Sequence, residues 1–143
     1  MSKLLIVDDE FRIRELIKKY AVFEGHNVFE AENGAIAVKM CREQEFDLII
    51  MDIMMPELDG FSASKEIRKS SDTPIIMLSA LGEEYDRIHG FEIGVDDYVV
   101  KPFSPKELMM RVCAVLKRSQ QKNSNEKERK NNAETLYCLL QAP

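Results

Sequence analysis

Short apolar runs rich in β-branched residues alternate, over the first 118 positions, with stretches in which apolar residues recur at helical spacing. The runs are Leu4 to Val7, Phe46 to Met51, Pro74 to Leu78 and Tyr98 to Val100, with a weaker one at Asn27 to Glu30. Unbroken apolar runs of this length suit strands covered on both faces, as in a parallel sheet. Between them, Ile13, Leu16, Ile17 and Tyr20 follow i, i+3, i+4, i+7, while Leu108, Val112, Val115 and Leu116 follow i, i+4, i+7, i+8. Both spacings predict helices with one buried face. Ser104-Pro105-Lys106-Glu107 reads as a capping box with Pro in the first turn, which fixes the start of the last helix. Gly25, Gly34, Gly60 and Gly94 fall at expected helix ends or loops. The sum is five βα units. Because strand-helix-strand crossovers are right-handed, the expected fold is α/β: a five-stranded parallel sheet, doubly wound, (βα)5.

The pattern stops near Ser119. Gln120 to Asn132 contains no apolar residue and reads as a linker, and Ala133 to Pro143 holds an apolar cluster too small for a core of its own. The expected organisation is one folded domain over 1–118, then a polar linker and short non-globular tail over 119–143. Formal charge divides at the same place, −6 before Ser119 and +1 from there on. An acidic folded part opposes sequence-independent binding to nucleic acid, which depends on clustered Lys and Arg. No apolar run approaches the ~18 residues needed to span a bilayer, so no membrane role is expected. The start has one Lys, a short apolar stretch and no small-residue cleavage site, and Cys41, Cys113 and Cys138 form no Cys-x-x-Cys pair. These features predict a cytoplasmic protein without disulfides or zinc.

In a sheet of this kind ligands bind beyond the carboxyl ends of the strands. The residues that follow the apolar runs are Asp8 and Asp9, Asp52, Ser79 and Lys101, so all five are expected on one rim. Crowded carboxylates repel by about 4 kcal/mol per pair at 4 Å and an effective dielectric near 20. A cation must sit among them, and oxygen ligands beside one Lys suit Mg²⁺ with a phosphoryl group. Taken singly the residues have plainer uses. Asp8 and Asp9 equally suit the cap and first turn of the next helix, and Ser79 suits a turn. Asp52 is harder to explain that way, since it follows a run of six with five apolar and precedes Ile53-Met54-Met55-Pro56. Lys101 lies between Val100 and Pro102-Phe103, an odd setting for a solvated charge.

Asp8-Asp9, Met51-Asp52-Ile53-Met54-Met55-Pro56-Glu57-Leu58-Asp59-Gly60, Ser79-Ala80 and Asp96-Asp97-Tyr98-Val99-Val100-Lys101-Pro102-Phe103 stand in an order and spacing that resembles the receiver domain of a bacterial two-component response regulator. The resemblance covers roughly residues 3–118 and implies the flavodoxin-like receiver fold. It implies that Asp52 accepts a phosphoryl group from a sensor histidine kinase. It also implies that Asp9, Asp52 and the Met54 carbonyl ligate Mg²⁺ directly, with Asp8 acting through water, and that Lys101 and Ser79 hold phosphoryl oxygens. Ser79 then moves inward and Tyr98 fills the space it leaves, although Tyr98 also suits ordinary packing. A cis Lys101–Pro102 peptide is implied as well. Such a domain promotes its own phosphorylation and slow dephosphorylation and acts as a switch, with Met54 and Leu81 flanking the path of the hydrolytic water.

Asp96 to Phe103, with Glu107 and Arg111, most resembles receivers joined to winged-helix DNA-binding domains, the OmpR/PhoB type. These form homodimers through the fourth helix, fifth strand and fifth helix. The matching residues are Arg87 with Glu107 and Asp97 with Arg111 across the partner, with Asp96 and Arg118 as further candidates. A winged-helix domain needs roughly 90 to 100 residues, and only 25 follow position 118. DNA contact is therefore expected only through an effector domain absent from this chain. The competing expectation is a stand-alone receiver acting by protein contact or as a phosphate sink. Aspartate-nucleophile phosphatases place a second Asp two residues beyond the first, where this chain has Met54. A P-loop enzyme is excluded by the absence of its Gly-rich motif, and a flavodoxin-like cofactor carrier by Asp8-Asp9-Glu10, which would repel a phosphate.

Overall fold

The computed structural model describes residues 2–80, 88 and 92–127. Five strands alternate with helices: β1 (Lys3–Val7), α1 (Phe11–Phe23), β2 (Asn27–Ala31), α2 (Gly34–Glu43), β3 (Leu48–Asp52), α3 (Gly60–Arg68), β4 (Ile75–Ser79), β5 (Asp97–Val100) and α4 (Pro105–Lys127). All strand pairs are parallel and the order is β2-β1-β3-β4-β5. Each expected run forms a strand, with Asp52 and Ser79 as the last residues of β3 and β4 rather than the first residues beyond them. Phe46 lies before β3, where it is buried and stacks edge-on against Phe29 at 5.7 Å.

Successive strand residues point to opposite faces, and the sheet has a core on each. Leu4, Ile6, Leu48, Ile50, Ile76, Leu78 and Val99 pack with Ile17 and Ala21 of α1 and with Leu108, Val112, Val115 and Leu116 of α4. Leu5, Val7, Ile49, Met51, Ile75, Met77 and Tyr98 pack with Ala37 and Val38 of α2 and Ala63 and Ile67 of α3. The sheet is therefore doubly wound. Leu16, expected on the buried face of α1, is exposed; the face that reaches the sheet runs Ile13, Ile17, Tyr20, Ala21 and leaves position 16 a quarter turn outside it.

Side-chain caps start three helices. Asn33 accepts from the Ile36 amide (2.8 Å), Asp59 from the Ser62 amide (2.9 Å) and Ser104 from the Glu107 amide (3.3 Å). The polar stretch expected to be a linker is helical as far as Lys127. Its Lys, Gln and Glu residues are good helix formers, and α4 is already nucleated by its packed turns, so each added residue only propagates it. The tail beyond Lys127 lies outside the described residues.

The loop from Asp52 to Gly60 folds back on the end of β3. A γ-turn places Glu57 at φ 67°, the Leu58 amide donates to the Pro56 carbonyl (2.8 Å), and the Gly60 amide donates to the Ile53 carbonyl (2.8 Å). A Cβ on Gly60 would collide with the Asp52 carbonyl oxygen and the Ile53 Cα, both of them backbone. We expect Gly60→Ala to destabilise the chain by about 1–3 kcal/mol, the usual range for overpacking, and urea unfolding checks it.

Candidate functional site

The carboxyl ends of β1, β3, β4 and β5 meet on one rim, and all five residues expected there are found there. β1 and β3 are neighbours whose following helices, α1 and α3, lie on opposite faces, so the crevice between their ends is uncovered by any crossover. Asp8 and Asp52 stand at its two sides. Asp8 has no exposed surface and Asp52 only 3%. Asp9 is exposed, and each of the three carboxylates offers an oxygen within 4.8 Å of the other two. Lys101 follows β5, its amide donating to the Ser79 carbonyl (2.6 Å), and the Lys101–Pro102 peptide is cis as the resemblance implied. Its Nζ lies 3.2 Å from Asp8 Oδ2 and 3.1 Å from Asp52 Oδ1. Ser79 is buried at the end of β4 beside Val100, and Tyr98 is buried two residues earlier on β5.

Capping does not explain the acidic pair. The N-cap of α1 is Glu10, whose side chain makes no capping bond, and Asp8 Oδ1 instead accepts from the Glu10 amide (2.9 Å).

Three carboxylates face one ammonium, leaving an excess of negative charge in a buried place. Burial raises the Asp52 carboxyl to about 6, helped by the nearby Asp8 charge and opposed by Lys101. Burial also raises Asp8, against the Glu10 amide and Lys101. For Lys101 burial disfavours the charge, but Asp52 and Asp8 outweigh it and hold the ammonium above its ordinary value. A small divalent cation would relieve the excess. The donors are all hard oxygens, clustered tightly enough to share one ion, which fits Mg²⁺ and not a soft metal.

The remaining candidates are dispersed. Met54 is exposed in the loop after β3. Asp97 and Arg111, expected to meet across a partner, pair within the chain at 3.1 Å, and Arg111 also reaches Glu107 at 3.3 Å. Asp96 is at the opposite end of β5, accepting from the Ile75 amide (2.9 Å) and from Arg68 (3.3 Å). Leu81 and Arg87 lie outside the described residues. Sequence reasoning missed Arg14, which donates to the Asp8 carbonyl (2.7 Å) and to Glu30 (3.1 Å). Its only signal was a basic residue in the first turn of a helix, where the dipole disfavours one.

Residues 4–113 match the response regulator receiver domain family. Transcriptional regulatory protein ResD of Bacillus subtilis (strain 168) is 51% identical over 120 residues, covering 84% of this chain and 50% of that protein. The receiver domain of Francisella response regulator 1452 superposes with a TM-score of 0.79 at 39% identity, over 83% of this chain and 99% of that one. The receiver domain of sensor histidine kinase PA1611 from Pseudomonas aeruginosa PAO1, solved with a magnesium ion coordinated in its active site cleft, gives 0.74 at 32% identity, over 80% and 97%. This chain spans about half the length of the curated relatives it matches. With its fold, its rim of Asp8, Asp9, Asp52, Ser79 and Lys101, and its sequence all in agreement, the chain belongs to the response regulator receiver domain family.

Proposed function

We propose that this chain is the phosphoacceptor switch of a two-component system, taking a phosphoryl group from a sensor histidine kinase onto Asp52. The observation that carries the reading is the buried Asp52 carboxylate, held by Lys101 beside Asp8 and Asp9 at the open crevice of the sheet. In the transfer an Asp52 oxygen bonds to phosphorus as the phosphorus–nitrogen bond to the kinase histidine breaks. Phosphoryl transfer asks a protein chiefly for positioning and for neutralisation of the equatorial oxygens. Lys101 supplies a positive charge and Ser79 a hydroxyl to those oxygens. Asp9, Asp52 and the Met54 carbonyl would hold Mg²⁺, with Asp8 linked through water. Bound there, Mg²⁺ adds the second share of positive charge and keeps Asp52 ionised. The magnesium ion in the PA1611 receiver cleft supports this assignment.

Modification places added charge and acceptor oxygens in a closed space, drawing the Ser79 hydroxyl toward them and Tyr98 after it. The output is a change at the face that carries Asp97, Glu107 and Arg111, through which two copies pair. We assign the receiver to residues 1–118, with the residues from 119 onward outside it. Since ResD is named a transcriptional regulatory protein and the matched residues are only 50% of its length, the output we propose is control of transcription through a DNA-binding domain. We place the switch in the cytoplasm, where such kinases present their phosphohistidine. Among the described residues no helix is long and apolar enough to cross a membrane. A stand-alone receiver acting by protein contact or as a phosphate sink is the alternative, and no observation favours it.

Incubation with a small phosphodonor and Mg²⁺ is expected to label the wild-type chain and not Asp52→Asn, and a chelator should abolish labelling. Labelling of Asp52→Asn as strong as wild type overturns the assignment. Stability without Mg²⁺ should depend on pH. A carboxyl raised on folding binds its proton more tightly in the folded chain, so the contribution of Asp52 to stability is fully present below the ordinary carboxylate range and is lost as pH rises through about 6. The loss is on the order of 3 kcal/mol for Asp52. Urea midpoints in chelator from pH 4 to 7 measure it, and Asp52→Asn should flatten the curve and exceed wild type at pH 7. Phosphate lifetime gives a third test. Neither Met54 nor Leu81 can orient a water, so the aspartyl phosphate should decay slowly and Met54→Asn should hasten its loss several-fold, read by phosphate release from the purified chain.

A further inference from the structure

We propose that Arg14 is a positioning residue for Asp9, holding the peptide between Asp8 and Asp9 so that the Asp9 carboxylate meets the cation; this rests on the reading of Asp8, Asp9 and Asp52 as a Mg²⁺ site. Asp8 is tied at every polar atom. Its amide donates to the Ala31 carbonyl (3.2 Å), Oδ1 accepts from the Glu10 amide (2.9 Å), and Oδ2 accepts from Lys101 (3.2 Å). Its carbonyl accepts from Arg14 Nη1 at 2.7 Å. That carbonyl belongs to the same planar unit as the Asp9 amide and Cα, so fixing it fixes the point from which the Asp9 side chain leaves the backbone and restricts its direction. Asp9 is exposed, and packing cannot do this for it.

Arg14 is itself held from the far side. Its Nε donates to Glu30 Oε1 on β2 (3.1 Å), Lys18 approaches Glu30 Oε2 (3.5 Å), and the guanidinium lies 5.6 Å from the Phe11 ring centre. The side chain is only 12% exposed, although the first turn of a surface helix would let it reach water. Glu30 answers the Arg14 charge, so Arg14 does not act by neutralising the site; it acts as a fork whose two arms have fixed directions. Nε faces β2 and Nη1 faces the end of β1, and the register that sets Ile6 beside Glu30 brings both acceptors within its span. A lysine carries all its donors on one nitrogen and cannot reach two acceptors that lie in such separate directions.

Amide shifts of the ¹⁵N-labelled chain, followed as MgCl₂ is added, test the proposal. Groups that orient a metal ligand usually change affinity by 10- to 100-fold when removed. Arg14→Ala is expected to raise the Mg²⁺ dissociation constant about tenfold. Arg14→Lys, which keeps the charge opposite Glu30, should recover less than half of that loss. In an Asp9→Asn background Arg14→Ala should add less than twofold, because the residue it orients no longer binds as a carboxylate. Unchanged affinity in both Arg14 variants, or an equal loss with and without Asp9→Asn, would show a staple between α1 and β2 and overturn the proposal while leaving the metal site intact. Absence of saturable shifts at Asp8, Asp9 and Asp52 in the wild type would overturn the site and the proposal together. Should Arg14→Ala not fold, Arg14→Lys decides alone, unchanged affinity refuting the proposal.

Discussion

The Lys101 ammonium between Asp8 and Asp52 is the constraint around which the rest of the structure is arranged. Two carboxylates with almost no exposed surface cannot be stable at the end of an apolar sheet without a partner, since an unpaired buried charge costs several kcal/mol. The partner comes from a strand two places away from β3, so β1, β3, β4 and β5 must all end at the same level. The bond from the Lys101 amide to the Ser79 carbonyl holds the chain level with the end of β4 where the side chain turns into the site. One cation for three carboxylates is also an incomplete answer. It keeps the chain folded and leaves a place that only another positive charge can complete, which is the property a site for a metal and a phosphoryl group requires.

The order of the strands converts that local balance into an accessible site. β1 is followed by α1 on one face and β3 by α3 on the other, so the two helices diverge from the crevice that Asp8 and Asp52 share. The loop after β3 is drawn back by Gly60 against the Asp52 carbonyl, an approach no other residue permits at that position. On the β1 side the equivalent restraint is a side chain, Arg14. The two loops are thus fixed by different means, one by the absence of a Cβ and one by a guanidinium held across to β2.

Strands and rim were legible in the sequence for one reason. In a parallel sheet covered on both faces, a polar residue is tolerated only where the strand leaves the core, so runs such as Phe46 to Met51 point directly at Asp52. Asp8, Ser79 and Lys101 follow from the same rule. What could not be read were relations set by pairing. The contact of Arg14 with Glu30 depends on the register of β1 with β2, and the run Asn27 to Glu30 was too weakly apolar to place Glu30 beside that loop. Leu16 was misassigned because i, i+3 and i+4 spacing does not say which edge of an apolar stripe meets the sheet. The polar stretch read as a linker carries no apolar period that would mark a helix, yet a packed helix can propagate into polar sequence, and α4 does so to Lys127.

Arg111 and Asp97 raise the last point, because their pairing within one chain bears on how the proposed dimer face works. The pair is partly exposed, with 41% of the Arg111 side chain and 22% of Asp97 open to water, and Glu107 beside them is more exposed still. Exposed pairs contribute about 0–1 kcal/mol each. An arginine with two carboxylates in reach on its own chain gains little more by exchanging one of them for a partner's. Such a face adds little to affinity in either state, but like charges brought together in a wrong register repel, so it can select the register of a dimer. Any preference for pairing after phosphorylation must therefore arise from the backbone that carries these residues. Glu107 and Arg111 stand on α4, and Asp97 stands on β5, the element that also reaches the site: Asp97 begins it, Tyr98 lies buried within it, and Lys101 follows its end. A small displacement of this one strand would reach the charged face and the proposed phosphoryl site together.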